Sequence, residues 1–134
     1  MICLDTDVAS TIMRPGGGPS KLGRRLGTLE AATQCTTSIT VGELLYGARK
    51  RGSQRLEREI ERLVGGEVQI AAFDERAARA YAEIRVGLEA AGQRLDDADL
   101  RIAAICLARD LTLITGNVRH FERVPGLRVE NWLT

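Results

Sequence analysis

Short apolar runs alternate with longer segments of helical periodicity along the chain, and this alternation limits the possible folds more than any other feature of the sequence. Each short run ends at a polar or glycine-containing turn, as strands commonly do. Strands that are separated by helices usually pair in parallel, because the crossover helix returns the chain to the edge where the first strand began. The predicted strands are residues 2–4, 35–39, 68–72, 111–115 and 127–129.

Helical segments are predicted at residues 8–13, 21–32, 40–51, 56–63, 74–91 and 99–109. Asp74 is placed to cap the fifth segment, and Gly92 is placed to end it. The glycine-rich stretch 14–20 is predicted to be a flexible connection, because no Gly-Lys-Ser/Thr follows it as in a phosphate-binding loop. A chain of 134 residues has the length of one domain. We therefore predict an α/β fold over residues 1–134, with three α/β/α layers and a mainly parallel central sheet of four to five strands.

The composition is that of an ordinary globular protein, with 44% hydrophobic and 28% charged residues. Aromatic residues make up only 4%, so stacking of bases on exposed rings is not expected to be a main mode of nucleic-acid binding. Cys3, Cys35 and Cys106 lie in apolar segments and are expected to be buried, reduced thiols. No leader pattern and no apolar run of bilayer length is visible, which predicts a cytoplasmic protein without a membrane partner.

Positive charge is concentrated between residues 14 and 62, a segment that contains ten Lys and Arg residues and five acids. A basic region beside an acidic pocket suits an enzyme that attracts and processes phosphates. The densest cluster is Arg49-Lys50-Arg51, which we predict to contact the phosphate backbone of a nucleic acid. The alternative is that these residues only solvate the end of a helix or face a protein partner.

Four oxygen-bearing side chains follow predicted strands or open predicted helices: Asp5, Glu43, Asp99 and Asn117. In an open α/β sheet such positions meet in one crevice, although they are distant in sequence. Neighbouring carboxylates repel unless a cation lies between them, and oxygen ligands select hard ions such as Mg²⁺ or Mn²⁺. The pattern therefore predicts a metal-dependent enzyme that acts on phosphodiester bonds.

Purely structural roles for these acids are also open. Thr40 and Glu43 fit a capping box at a helix start. Asp97 is placed to cap the helix that carries Asp99, and the dipole of that helix favours a carboxylate in its first turn. His120 is the only histidine, and beside an aromatic residue in a loop it is expected to be a rim residue rather than a general base.

Together the motifs resemble PIN-domain ribonucleases, especially the VapC/FitB-like toxins of bacterial toxin–antitoxin pairs. The resemblance spans essentially the whole chain in the order and spacing of that family. The segments that carry it are Leu4-Asp5-Thr6-Asp7, Ser38-Ile39-Thr40-x-x-Glu43-Leu44-x-x-Gly47, Asp99-x-x-Ile102-Ala103-Ala104, Leu113-Ile114-Thr115-x-Asn117-x-x-x-Phe121 and Gly126-Leu127-x-Val129.

The resemblance implies that Asp5, Glu43 and Asp99 bind Mg²⁺ or Mn²⁺ and that Asn117 completes the catalytic site. Thr6 and Thr115 are then expected to orient the carboxylates through hydrogen bonds.

Two positions depart from the family pattern. The family often has Asn or Ser where this chain has Asp7, and many members have Asp where it has Asn117. The side chain of Asn117 offers only a neutral oxygen to a metal ion. Asp7 or Asp97 is therefore expected to compensate with negative charge near the metal, without being a direct ligand.

The resemblance further implies an endoribonuclease toxin that forms a homodimer and is inhibited by a cognate antitoxin. The helices between Lys21 and Leu63 are expected to form part of the antitoxin surface. The apolar residues there, some of which are expected to belong to the core, are Leu22, Leu26, Leu44, Leu45, Leu56, Ile60 and Leu63.

Two other functions remain open from the residues alone. The opening Asp5-Thr6-Asp7-Val8 also fits haloacid-dehalogenase-like phosphatases, in which the first Asp is a nucleophile and the second an acid/base. Such an enzyme needs a later core lysine, whereas this chain has only Lys21 and Lys50. The other alternative is a non-catalytic binding module, in which the acids are only helix caps.

Overall fold

The computed structural model describes residues 1–66 and 68–134, and its centre is a five-stranded sheet. The sheet has the order β3-β2-β1-β4-β5, and each neighbouring pair is parallel. The order reverses at β1, so the carboxyl ends of β1 and β4 flank the point where a parallel sheet opens a crevice. The strands are β1 Ile2–Leu4, β2 Gln34–Thr37, β3 Gln69–Ala71, β4 Thr112–Ile114 and β5 Val129–Glu130.

Seven α-helices in the described residues surround the sheet, which confirms the predicted three-layer α/β/α architecture. Nowhere in residues 1–66 and 68–134 is a helix long and apolar enough to cross a membrane. The helices are α1 Thr6–Met13, α2 Ser20–Gly27, α3 Ser38–Arg51, α4 Gln54–Val64, α5 Glu75–Ala90, α6 Asp97–Ala108 and the short α7 Val118–Phe121.

Successive residues of the central strand point to opposite faces and so build two cores. Cys3 packs into a cluster with residues of α5 and α6, while Leu4 packs with Val8 of α1 and Leu22 of α2. Helices α3 and α4 pack against α1 in a further cluster that includes Ile60. All three cysteines are buried and free, as predicted. The acid-bearing ends of β1 and β4 are thereby held between two packed layers.

Five of the helices begin one or two residues before their predicted starts, and at α3 and α6 the corrections concern acids. Strand β2 ends at Thr37, whose extended backbone and side chain cap α3: its Oγ1 accepts a hydrogen bond from the Thr40 amide at 3.0 Å. Glu43 is therefore the sixth helical residue and takes no part in a capping box. Similarly, Asp96 precedes α6 and Asp97 is its first residue rather than its cap.

Candidate active site

A cleft of about 550 Å³ lies at the carboxyl ends of β1 and β4. It is lined by the side chains of Asp5, Asp7, Glu43, Asp99 and Asn117, which come from β1, α1, α3, α6 and the loop after β4. The fold thus brings together all four residues that the sequence places at element junctions. Because four of these side chains are carboxylates, the cleft concentrates negative charge.

Asp5 is the most buried of the acids, with 4% of its surface exposed. Its Oδ2 accepts a hydrogen bond of 2.7 Å from the Thr115 hydroxyl, which in turn accepts one of 3.0 Å from the amide of Asn117. Its Oδ1 is buried and has no hydrogen-bond partner among the described residues. One oxygen of Asp5 is therefore fixed by the end of β4, and the other has no donor.

Glu43 is oriented by the first residue of α1. The Thr6 hydroxyl donates to its Oε1 at 2.7 Å and lies 3.1 Å from the Thr40 hydroxyl of the same helix as Glu43. This contact joins α1 to α3 across the cleft. Thr6 and Thr115 thus each donate a hydrogen bond to a different carboxylate.

Asp7 is held by the backbone of the loop that follows β4. Its Oδ2 accepts a hydrogen bond of 2.8 Å from the Gly116 amide, and its Oδ1 is buried without a partner in the described part of the chain. A Cβ at Gly116 would lie 2.7 Å from Asp7 Oδ2, so a side chain at that position would displace the carboxylate. The sequence pattern indicates Asp7 through its neighbour Asp5, but nothing in it predicts the contribution of Gly116.

Burial and mutual repulsion raise the pKa of two acids in the cleft. Desolvation is the main cause for Asp5, whose pKa rises from 3.8 to about 7 although Thr115 and the backbone of Thr6 oppose the shift. Desolvation is also the main cause for Asp99, whose pKa rises to about 6 with further contributions from neighbouring acids. Without a counterion, burial therefore favours the protonated forms of Asp5 and Asp99.

Asp97 does not share the surroundings of Asp99. Its Oδ1 accepts a hydrogen bond of 2.6 Å from the Tyr81 hydroxyl, and its Oδ2 forms a 2.9 Å ion pair with Arg101. These contacts tie the first turn of α6 to α5 and hold the helix that carries Asp99. The expectation that Asp97 lies beside a bound metal is thus not favoured, because both of its oxygens are engaged by α5 and α6.

The basic cluster Arg49-Lys50-Arg51 ends α3, where Arg49 and Lys50 line a separate groove with Tyr46. Arg49 forms a 3.0 Å ion pair with Glu57 of α4, and the Lys50 ammonium lies 5.7 Å from the Tyr46 ring centre.

The cation beside the acids is Arg14, which follows α1 and is the only positively charged residue among the described residues that line the cleft. The sequence pattern does not single it out from the other arginines.

The side chains that line the cleft are of the chemical type that binds a hard divalent cation. In residues 1–66 and 68–134, however, no group of three His, Cys, Asp or Glu side chains is already arranged as a metal site. The donors are carboxylate and amide oxygens, as Mg²⁺ and Mn²⁺ prefer. The buried oxygens Asp5 Oδ1 and Asp7 Oδ1 have no donor in the described chain. A buried anionic oxygen without a partner is costly, and a cation between the acids would remove that cost.

Comparison with known proteins agrees with this chemistry. The PIN domain family model matches residues 2–127. The tRNA(fMet)-specific endonuclease VapC of Shigella flexneri is 34% identical over 131 residues, which cover 96% of each chain. The crystal structure of VapBC2 from Rickettsia felis bound to a DNA fragment from their promoter has a TM-score of 0.87 at 30% identity, covering 98% of this chain and 99% of that one. FitAcB from Neisseria gonorrhoeae has a TM-score of 0.84 at 30% identity, covering 98% and 97%.

The phosphatase alternative is wrong, because the family match extends over nearly the whole chain, whereas the phosphatase-like pattern is confined to the first strand and its turn. The relatives carry the names of nucleases, which also argues against a non-catalytic module. The chain belongs to the PIN domain family and, within it, to the metal-dependent VapC ribonucleases.

Proposed function

We propose that this protein is an endoribonuclease toxin that hydrolyses RNA phosphodiester bonds in the cleft and is inhibited by a cognate antitoxin. The observation that carries the proposal is the convergence of four carboxylates, two of them with buried and unpartnered oxygens, in a chain of the VapC family. We further propose that residues 1–134 act as one domain, since every described strand belongs to a single sheet. We also propose that the protein is cytoplasmic.

Asp5, Glu43 and Asp99 would hold Mg²⁺ or Mn²⁺, and the neutral oxygen of Asn117 would complete the site. When bound, such an ion neutralises charge on the phosphate and makes a water molecule more acidic. The chain's own contribution is orientation: Thr115 and Thr6 each fix one carboxylate oxygen by a 2.7 Å hydrogen bond. Because water is the nucleophile, a 2′-deoxy substitution at the cleaved linkage should still allow hydrolysis.

The function is tested with protein purified free of any partner and incubated with defined RNAs. The first RNA to try is an initiator tRNA, because the Shigella flexneri relative is named as a tRNA(fMet)-specific endonuclease. Each RNA is incubated with Mg²⁺, Mn²⁺ or EDTA. Site-specific cleavage that needs the divalent ion supports the proposal. An absence of cleavage in any transcript of a total cellular RNA pool would contradict it.

Arg14 is expected to contact an RNA phosphate next to the cleaved bond, since it is the cation that lines the cleft. Arg14→Ala should raise KM more than it lowers kcat and should reduce the salt slope of RNA binding by about one. Arg24→Ala, which changes an exposed arginine of α2, is the matched control and should behave as wild type. Equal RNA affinities for both variants would remove Arg14 from the interface.

The cluster Arg49-Lys50-Arg51 is proposed as a second, more distant RNA contact. The triple alanine variant should lower the salt slope by less than three, because Arg49 already pairs with Glu57. An unchanged slope would show that the cluster does not touch RNA and would leave it to the antitoxin.

The antitoxin surface predicted from seven apolar residues needs a correction. Leu22, Leu44 and Ile60 are buried in the cores and are not available to a partner. Leu26, Leu45, Leu56 and Leu63 are only partly buried, and Tyr46, which is 66% exposed, and Val64, which is 41% exposed, add apolar surface on α3 and α4. We propose that this surface contributes to antitoxin binding and that the toxin forms a homodimer.

Co-expression with the neighbouring open reading frame should give a stable, inactive complex. Tyr46→Asp is expected to weaken that complex at least tenfold, because a charge replaces the exposed ring. Val86→Asp on α5 is the matched control, since Val86 is similarly exposed at 69%. Binding constants from calorimetry compare the two, and loss of binding in Val86→Asp alone would move the surface to α5.

A further inference from the structure

We infer that Asp7 supplies a carboxylate oxygen to the divalent cation, and so provides the negative charge that the neutral Asn117 does not bring to the cleft. This inference rests on the proposed metal-dependent function and assigns Asp7 a direct role in place of the supporting one expected from the sequence.

The first observation is the state of the two carboxylate oxygens of Asp7. Oδ2 accepts a 2.8 Å hydrogen bond from the Gly116 amide, whereas Oδ1 is buried and without a partner among residues 1–66 and 68–134. Asp5 shows the same division, with Oδ2 bound by Thr115 and Oδ1 unpartnered. Both acids line the same cleft, and each has one oxygen fixed by a hydrogen bond and one buried oxygen without a donor. A cation shared by the two free oxygens would satisfy both.

The second observation is that the position of the Asp7 carboxylate requires a glycine at residue 116. A Cβ at Gly116 would lie 2.7 Å from Asp7 Oδ2 and 3.0 Å from a methyl group of Leu133. Only glycine therefore lets the backbone amide approach the carboxylate without displacing it. The position of the Asp7 carboxylate is fixed by β4 and the loop that follows it, which also position Thr115 and Asn117.

The charge of Asp7 distinguishes between two roles for it, holding the loop after β4 and binding a metal ion. An Asn at position 7 could also accept the Gly116 hydrogen bond, and it would add no repulsion toward Asp5 and Asp99. A carboxylate is favoured over an amide there only when a cation balances it. Within the described part of the chain, Arg14 is the only cation that lines the cleft. Among the described residues Arg14 forms no ion pair, so Asp7 has no directly paired cation.

The test compares wild type with Asp7→Asn by calorimetric titration with MnCl₂ alone, without RNA. We expect the variant to bind Mn²⁺ at least about tenfold more weakly, while its metal-free melting temperature stays the same or rises. Asp110→Asn is the matched control, because Asp110 is an exposed acid that pairs with Arg128 and lines a different groove. It should retain wild-type affinity for Mn²⁺.

A second variant separates lost charge from lost geometry. In Asp7→Asn/Asn117→Asp the carboxylate moves to another residue that lines the same cleft, so Mn²⁺ affinity should recover at least in part. A double variant that binds Mn²⁺ no more tightly than Asp7→Asn would contradict the inference that Asp7 supplies the charge that Asn117 lacks.

Wild-type affinity in Asp7→Asn, or a lower metal-free melting temperature, would assign Asp7 only a structural role and leave the proposed function standing. Wild type that binds Mn²⁺ but cuts no RNA would overturn the proposed function and leave this inference intact.

Discussion

Asp5→Asn is expected to abolish RNA cleavage and at the same time to stabilise the metal-free protein. The near-isosteric amide removes the charge that would hold the cation but can still accept the hydrogen bond from Thr115. Cleavage at saturating RNA should fall by more than about 100-fold, since even loss of an outer contact to a metal ligand costs about 10–100-fold. Single-turnover cleavage with Mg²⁺ measures this loss.

The stability gain follows from the raised pKa of Asp5. Folding moves that pKa from 3.8 to about 7, so at pH 8 the ionised carboxylate opposes folding by an amount on the order of 2–4 kcal/mol. Asp5→Asn should recover part of this amount in urea unfolding of EDTA-treated protein. A folded Asp5→Asn protein that cuts RNA at the wild-type rate would sink the site assignment.

The pH dependence of metal-free wild type gives an independent check with a defined sign. Between the unfolded and folded pKa values of Asp5 the native state binds more protons, so the contribution of Asp5 to stability is greatest below about pH 4 and falls toward pH 7. Asp99 adds to the fall between about pH 4 and 6. The decline should be smaller in Asp5→Asn. A difference in stability between wild type and Asp5→Asn that stays constant over this window in EDTA would contradict the burial of Asp5.

Removal of divalent ions is expected to eliminate cleavage completely and reversibly. EDTA should abolish activity, and added Mg²⁺ or Mn²⁺ should restore it. The ion should also stabilise the folded protein, by about 2.7 kcal/mol at 100 times its dissociation constant. Melting temperatures at rising Mn²⁺ concentration measure this effect. Cleavage that resists EDTA would remove the metal from the mechanism.

Protons and the cation should compete for the same carboxylates. Because the pKa of Asp5 is about 7 and that of Asp99 about 6, Mn²⁺ affinity should weaken as the pH falls from 8 to 6. Calorimetry in buffers of different ionisation enthalpy should show proton release on binding. An affinity that is constant over this range would indicate ligands other than these two acids.

Local pattern was enough to predict the five strands, the helices α1 to α6 and the family, but it missed the short α7 and extended α2 to residue 32 instead of Gly27. The alternation of apolar runs and helical periodicity predicted the strands, because a strand buried on both faces needs a short, continuous apolar run. Helix starts were predicted less well, since several polar residues compete for one cap. At α3 the cap is Thr37 rather than Thr40, because the strand ends before the β-branched run does.

The sequence by itself determined which acids meet in the cleft, because parallel strands place their carboxyl ends at one edge regardless of side-chain detail. Only the tertiary structure decided what each polar group does there. Whether Asp7 or Asp97 supports the site depends on the hydrogen-bond partners that packing brings near: Gly116 for the first, and Tyr81 with Arg101 for the second. Such partners are distant in sequence, so no local pattern encodes them, and burial by the surrounding layers sets the charge that each acid can carry.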